Sequence, residues 1–303
     1  AIVSPYLQFS LLSKNKRLQY TTWHTKLMHG VTKDDRLPTG ESSESLFYWM
    51  RARFNHLSYN LGRVQLGLFE ATMFRNISTG GVQPFNAMEL NPVIGLNTAV
   101  FGFKAANKTL VGLDVRMKVT RRSYVYGQFA TDGPSRYGWQ AGIRAFDVLR
   151  RDLHVQLEYN AATPFMYMSS PVRQAYVQAG QPLAHPRGNA FNEVVGIIDA
   201  GFGRYWLQCK VNVAVFDKDT SDTYNDGNDL NKPDESVPSP NGALSHRLFN
   251  MDVNASYLLN PNTNLRFVFG CMRRDLSNST DGAQSTYIYI AFRTNLFNRY
   301  YDL

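Results

Sequence analysis

Basic side chains recur along this 303-residue chain at Arg51 and Arg53, Arg63, Arg116 and Lys118, Arg144, Lys210, Arg266 and Arg293. Residues two apart point to the same side of an extended strand, so these groups can line one surface. Guanidinium and ammonium groups ranged in that way bind carboxylates or phosphates. The chemistry on offer is recognition of an acidic polymer such as an acidic glycan. The same side chains also suit a salt-bridged network filling a closed barrel, with Asp114 and Glu158 as the main opposing charges.

A second constellation is Gln181-Pro182-Leu183-Ala184-His185-Pro186-Arg187-Gly188. Its two prolines fix the backbone and set His185 and Arg187 on a rigid loop, as a binding loop or a plug requires. A lone His is more often a structural hydrogen-bonding residue than a base, and no acid, base and nucleophile set surrounds it. A third is Asp217, Asp219, Asp222, Asp226 and Asp229 with Asn225 and Asn228. These could offer oxygens to Ca²⁺, but they lack the spacing and closing Glu of the twelve-residue calcium loop, so a solvated loop is expected. The six His residues show no zinc-ligand spacing. Cys209 and Cys271 fall inside strand patterns, where a thiol behaves as a small apolar side chain. No enzymatic activity, metal or cofactor is expected. Nucleic acid is not expected either, because the basic residues alternate along strands and do not flank an aromatic platform.

The elements that carry these residues are strands. From Val111 to Val119 the chain alternates without a slip: Val111, Leu113, Val115, Met117 and Val119 oppose Gly112, Asp114, Arg116 and Lys118. The same writing predicts strands over 6–12, 17–28, 46–56, 63–74, 109–119, 124–130, 138–146, 153–159, 192–202, 204–216, 246–258, 265–274 and 285–297. In the third of these, Tyr48, Met50, Ala52 and Phe54 form the apolar face, and Arg51 and Arg53 the inward one. The segment 76–107 has no clear period, 161–191 is a Pro-, Tyr- and Met-rich insertion, and 217–245 is an acidic loop.

Aromatic content of 13% sits beside a mean hydropathy of −0.32. That pairing suits a transmembrane barrel, in which only alternate strand residues meet lipid. No apolar run is long enough for a spanning helix. A soluble β-sandwich is the competing fold, but strands of about 10–12 residues are long for it and match a tilted membrane span. The expected fold is all-β: an antiparallel up-and-down transmembrane β-barrel of about thirteen or more strands with long extracellular loops. A charge facing lipid at the midplane costs about 2–4 kcal/mol, so all nine basic residues are expected to point inward.

Several ordered motifs carry a family resemblance. Asn91-Pro92-Val93-Ile94, Tyr126-Gly127-Gln128-Phe129, Leu157-Glu158-Tyr159-Asn160, the Gln181–Pro186 run and Gly188-Asn189-Ala190-Phe191 resemble, in order and spacing, the capsule assembly Wzi-like family and its gliding-motility RemB-like branch. The resemblance covers essentially the whole chain. It implies one barrel domain over 1–303, with further strands ahead of Ala1 in the full-length protein. It also implies residence in the bacterial outer membrane, among lipid and lipopolysaccharide. The role implied is surface-polysaccharide assembly or attachment, or a structural part in an outer-membrane complex of type IX secretion or gliding, with other outer-membrane proteins as partners.

Overall fold

The computed structural model describes residues 5–30, 47–74, 77–78, 81–82, 87–103, 107–170 and 174–294. Its sheet strands are β1 (Tyr6–Leu12), β2 (Leu18–Gly30), β3 (Phe47–Asn60), β4 (Val64–Met73), β7 (Lys108–Lys118), β8 (Ser123–Gly133), β9 (Arg136–Ala145), β10 (Leu153–Ala162), β13 (Phe191–Phe202), β14 (Tyr205–Lys218), β15 (Leu244–Asn260), β16 (Leu265–Ser277) and β17 (Gly282–Arg293). Two small hairpins lie between them, β5 (Ile77–Ser78) with β6 (Gly81–Val82), and β11 (Val177–Gln178) with β12 (Gln181–Pro182). A 3₁₀ turn at Ala87–Leu90 and the six-residue helix α1 (Leu96–Phe101) sit in the segment whose period was unclear. Among the described residues no helix is long and apolar enough to cross a membrane.

All thirteen long strands join one antiparallel up-and-down sheet, in chain order. Among the described residues β1 and β17 are its two edges and do not pair. The connections sort by end. At one end they are short, at 13–17, 61–63, 119–122, 146–152, 203–204 and 261–264; at the other lie the long segments 31–46, 74–107, 163–190 and 219–243, with two tight turns at 134–135 and 278–281. The polar loop expected at 31–40, and the aromatic end of the closing strand at Phe297, fall outside the described residues.

Register fixes the two faces, because directly paired residues share a face. One row runs Arg116, Tyr126, Gly142, Glu158, Val195 and Asn212 through β7 to β14. This face is polar through most of its height. The opposite face from β7 onward carries Leu113, Ile143, Leu157, Ile198, Leu207 and Phe269, all exposed. The polar face becomes apolar only toward the long-loop end, where Met50, Ala52, Ala71, Leu110, Ala130 and Phe191 form the core with residues of the 163–190 insertion.

Candidate functional site: a plugged polar lumen

The insertion 163–190 folds onto the polar face and fills its long-loop end. Met166, Met168, Ala175 and Val177 are buried there against the wall. Tyr176 meets Phe54 edge-on at 6.1 Å and stacks on Tyr167 at 5.8 Å. Burial of its ring pushes the Tyr176 hydroxyl up to about 12, and burial raises that of Tyr167 as well. Ala179 and Gly180, both with positive φ, turn the β11–β12 hairpin, and the Ala179 N–H donates to Met28 O at 2.6 Å.

Two carboxylates on the wall hold this plug. Glu193 accepts from His185 Nε2 at 3.0 Å and from Arg187 Nε at 2.7 Å, while Asn212 donates to it at 2.8 Å. The His185 ring stacks on Phe191 at 4.4 Å. Asp132 pairs with Lys108 at 2.7 Å and accepts the Tyr167 backbone N–H at 2.8 Å. His185 and Arg187 are therefore the plug's anchors, as a rigid X-Pro loop permits; Gln181 is exposed on the hairpin beside them. Glu193 and Asp132 were missed in the sequence, although a carboxylate inside a strand is itself a sign of a required partner.

The loop 219–243 packs on the plug through Leu230, and Phe165 N–H donates to Gly227 O at 2.7 Å. Within the loop Asp219 pairs with Lys232 and Asp226 accepts from Ser239, while Asp234 pairs with Arg136 of β9. Among the described residues no group of three or more His, Cys, Asp or Glu is placed to hold a metal. Cys209 and Cys271 are free thiols.

Below the plug the polar face is a continuous groove. A cavity of about 290 Å³ between plug and wall is lined by Gln128, Gln140, Asn160, Tyr176 and His185. A second, of about 380 Å³, shares Gln128 and Gln140 and extends to His56, Asp114, Arg116 and Tyr126. A third, of about 190 Å³, links Arg116 to Arg63 and Lys118. Planar amides, a Tyr hydroxyl bonded to Glu158, and the His56–Asp114 pair at 2.9 Å make the walls.

Seven of the nine predicted basic residues lie on this face: Arg63, Arg116, Lys118, Arg144, Lys210, Arg266 and Arg293. Among the described residues none of these seven forms a salt bridge. Arg144 donates to Gln156 at 2.6 Å, Arg116 lies over the Tyr124 ring at 4.1 Å, and Arg266 over Trp206 at 4.6 Å.

Arg51 and Arg53 are the correction. They project from the opposite face of β3, away from the groove, because Met50, Ala52 and Phe54 face the apolar plug. Arg53 pairs with Glu70 at 2.8 Å and Arg51 with Glu89 at 2.9 Å, beneath the segment 87–97 that lies over this part of the wall. Alternation reports that a strand has two faces; which of them is wet depends on what covers each.

Neither a scan of family models nor a search of curated proteins finds a match. Among solved structures the chain is similar to Wzi, an outer-membrane protein involved in group 1 capsule assembly in Escherichia coli and described as a carbohydrate-binding β-barrel. The TM-score is 0.56 at 12% identity, over 93% of this chain and 60% of that one. The fold is Wzi-like. This chain thus spans 60% of the length of Wzi, and at that identity the likeness speaks for architecture alone.

Proposed function

We propose that this chain is a barrel of the bacterial outer membrane, without catalysis, whose lumen holds an acidic surface polysaccharide during capsule assembly or attachment. The apolar outer face meets lipid and lipopolysaccharide, and the long-loop end with its plug is extracellular, as the short-turn, long-loop asymmetry of such barrels implies. The observation that carries the reading is the set of seven basic side chains that form no salt bridge among the described residues, beside an amide- and tyrosine-lined groove. Guanidinium groups that no carboxylate holds in an ion pair are open to a polyanion, and Arg in particular binds carboxylates in bidentate fashion. Wzi, whose fold this chain resembles, is described as carbohydrate-binding, which supports a polysaccharide as the ligand.

The test is binding of polygalacturonate, with neutral dextran as control, to the detergent-purified protein across a salt series. Binding to the acidic polymer should weaken as salt rises. Arg116→Glu and Arg144→Glu should each lose about 1.5–3 kcal/mol, roughly ten- to a hundredfold in affinity. Undiminished binding in both variants would falsify the reading. Defined outer-membrane proteins travelling with the chain, and no polysaccharide, would favour a structural subunit linked to type IX secretion or gliding motility instead.

A further inference from the structure

From β7 to β17 the outer face of the sheet is apolar through its middle, and Arg247, Arg273 and Asp275 on β15 and β16 stand toward its long-loop end; on β2 to β4 the same face carries His24, Arg51, Arg53, Asn55, Glu70 and Thr72. In a barrel wall these groups would meet hydrocarbon, which is strongly unfavourable for a guanidinium. They do not meet it, because the segment 87–97 lies over them. Arg53 Nη1 donates to Glu89 O at 3.2 Å, Asn55 Nδ2 to Asn91 O at 3.4 Å, and Asn97 Nδ2 to Glu70 Oε1 at 3.2 Å. Tyr20 OH reaches Pro92 O at 2.8 Å.

Those contacts fix how far the segment descends. Arg51 lies near the long-loop end of β3, whereas Tyr20 pairs with Leu57, close to the short turn that begins after Asn60. The wall residues that reach the overlay through their side chains span about 20 Å of strand, while the three residue steps from Glu89 to Pro92 themselves descend no more than about 10 Å of the roughly 25 Å apolar band of an outer-membrane barrel. Its two sides differ in kind. Asn91 and Asn97 are buried toward the wall, whereas Leu90, Val93 and Val100 are 60%, 53% and 58% exposed. Between Glu89 and Lys104 the sequence has no charged residue. A connection bathed in water would not be written that way.

We propose that residues 90–100 form a lipid-facing strap on the outside of the barrel: they seal a charged patch of wall and present their own apolar side to the acyl chains of the bilayer. The occupant follows from continuity: Gly95 and Asn97 bond to Glu70, which stands two residues from Leu68 on the same outer face, and Leu68 pairs with Leu113, both exposed. The proposal rests on the outer-membrane reading above, and the experiment separates the two.

Single cysteines at Val93→Cys and Val100→Cys are introduced into the full chain with Cys209→Ser and Cys271→Ser, labelled with a small fluorophore, and reconstituted in vesicles of dibrominated phosphatidylcholine. Leu113→Cys serves as the lipid-belt reference and Ser135→Cys, in a tight turn, as the aqueous one. The labels at 93 and 100 should lose as much fluorescence to the bromines as that at 113, and should resist iodide where that at 135 does not. Iodide quenching at 93 and 100 equal to that at 135 would place the strap in water and overturn the proposal. Shielding from both quenchers would overturn it in favour of a protein cover. If the label at 113 also escapes the bromines, the outer-membrane reading fails, and the strap with it.

Discussion

Arg53 and Glu70 form an ion pair 2.8 Å long, with side chains 1% and 0% exposed, on the outer wall of the sheet. Glu70 is the hub: it also accepts from Thr72 Oγ1 at 3.1 Å, from Asn97, and from the Gly95 backbone N–H. A buried pair is an unreliable source of net stability against apolar replacements, but breaking one side of it leaves an uncompensated charge. Its service here is to tie the segment 87–97 to the wall.

Removing only the carboxylate should therefore be costly. Glu70→Gln is expected to lose about 3–5 kcal/mol, read as a lower urea midpoint of the detergent-solubilised protein. The double variant Arg53→Met, Glu70→Leu should recover much of that loss, because neither charge then remains buried. An unstable double variant beside a stable Glu70→Gln would refute this account of the pair.

The plug has its own tether. In Glu193→Gln the His185 and Arg187 contacts lose their charged acceptor, at about 1.5–3 kcal/mol. That should loosen the plug without unfolding the wall, whose strand pairs continue past this position on both sides. Limited proteolysis within 163–190 is the measurement. Faster cleavage there with an unchanged strand signal is expected; wild-type resistance would mean that the tether does not hold the plug.

Much of this architecture was legible because a strand buried on one face writes itself in alternation. Val111 to Val119 is the cleanest case, and all thirteen strands were found within a few residues of their observed ends. The failures share one cause. Alternation at Met50–Phe54 gave the two faces of β3, but their assignment assumed a uniformly wet lumen, whereas the plug makes the lumen dry at that height. The segment 87–101 was unreadable for a related reason. Its apolar residues, Leu90, Val93, Leu96 and Val100, stand at helical spacing, but Pro92 and Gly95 interrupt the run, and its order comes from tertiary contacts to Arg51, Arg53, Asn55 and Glu70. The basic residues were easier, since most lie on strands whose opposite face is unmistakably apolar.

Tyrosines make the plug sensitive to alkali. Unfolded Tyr ionises near pH 10, and in the docked plug burial raises Tyr176 to about 12 and Tyr167 as well. The docked state thus holds the proton more tightly, so docking stability is fully present below pH 10 and is lost as the pH climbs through 12. Proteolysis of 163–190 followed against pH should show release in that window. Tyr176→Phe should move it upward, because one of the groups forced to ionise is gone; an unmoved window would exclude Tyr176 as the titrating group.

Gly142 offers a test of the groove that leaves every charge in place. The Tyr126 ring lies directly over its backbone, so a Cβ at 142 would collide with the ring. The position is an extended strand residue with no positive φ, so what opposes a side chain there is the Tyr126 ring, which must move to admit one. Gly142→Val should displace Tyr126, break its hydroxyl contact with Glu158, and cost about 1–3 kcal/mol through overpacking. The cavity shared by Tyr126, Gln128 and Arg116 would be reshaped while all seven basic groups remain. If polygalacturonate is held in that groove, its affinity should fall although the net charge is unchanged. If affinity is retained while stability falls, the polymer is held by charge elsewhere on the lumen wall, and the Arg63, Arg116 and Lys118 group at the short-turn end becomes the place to look.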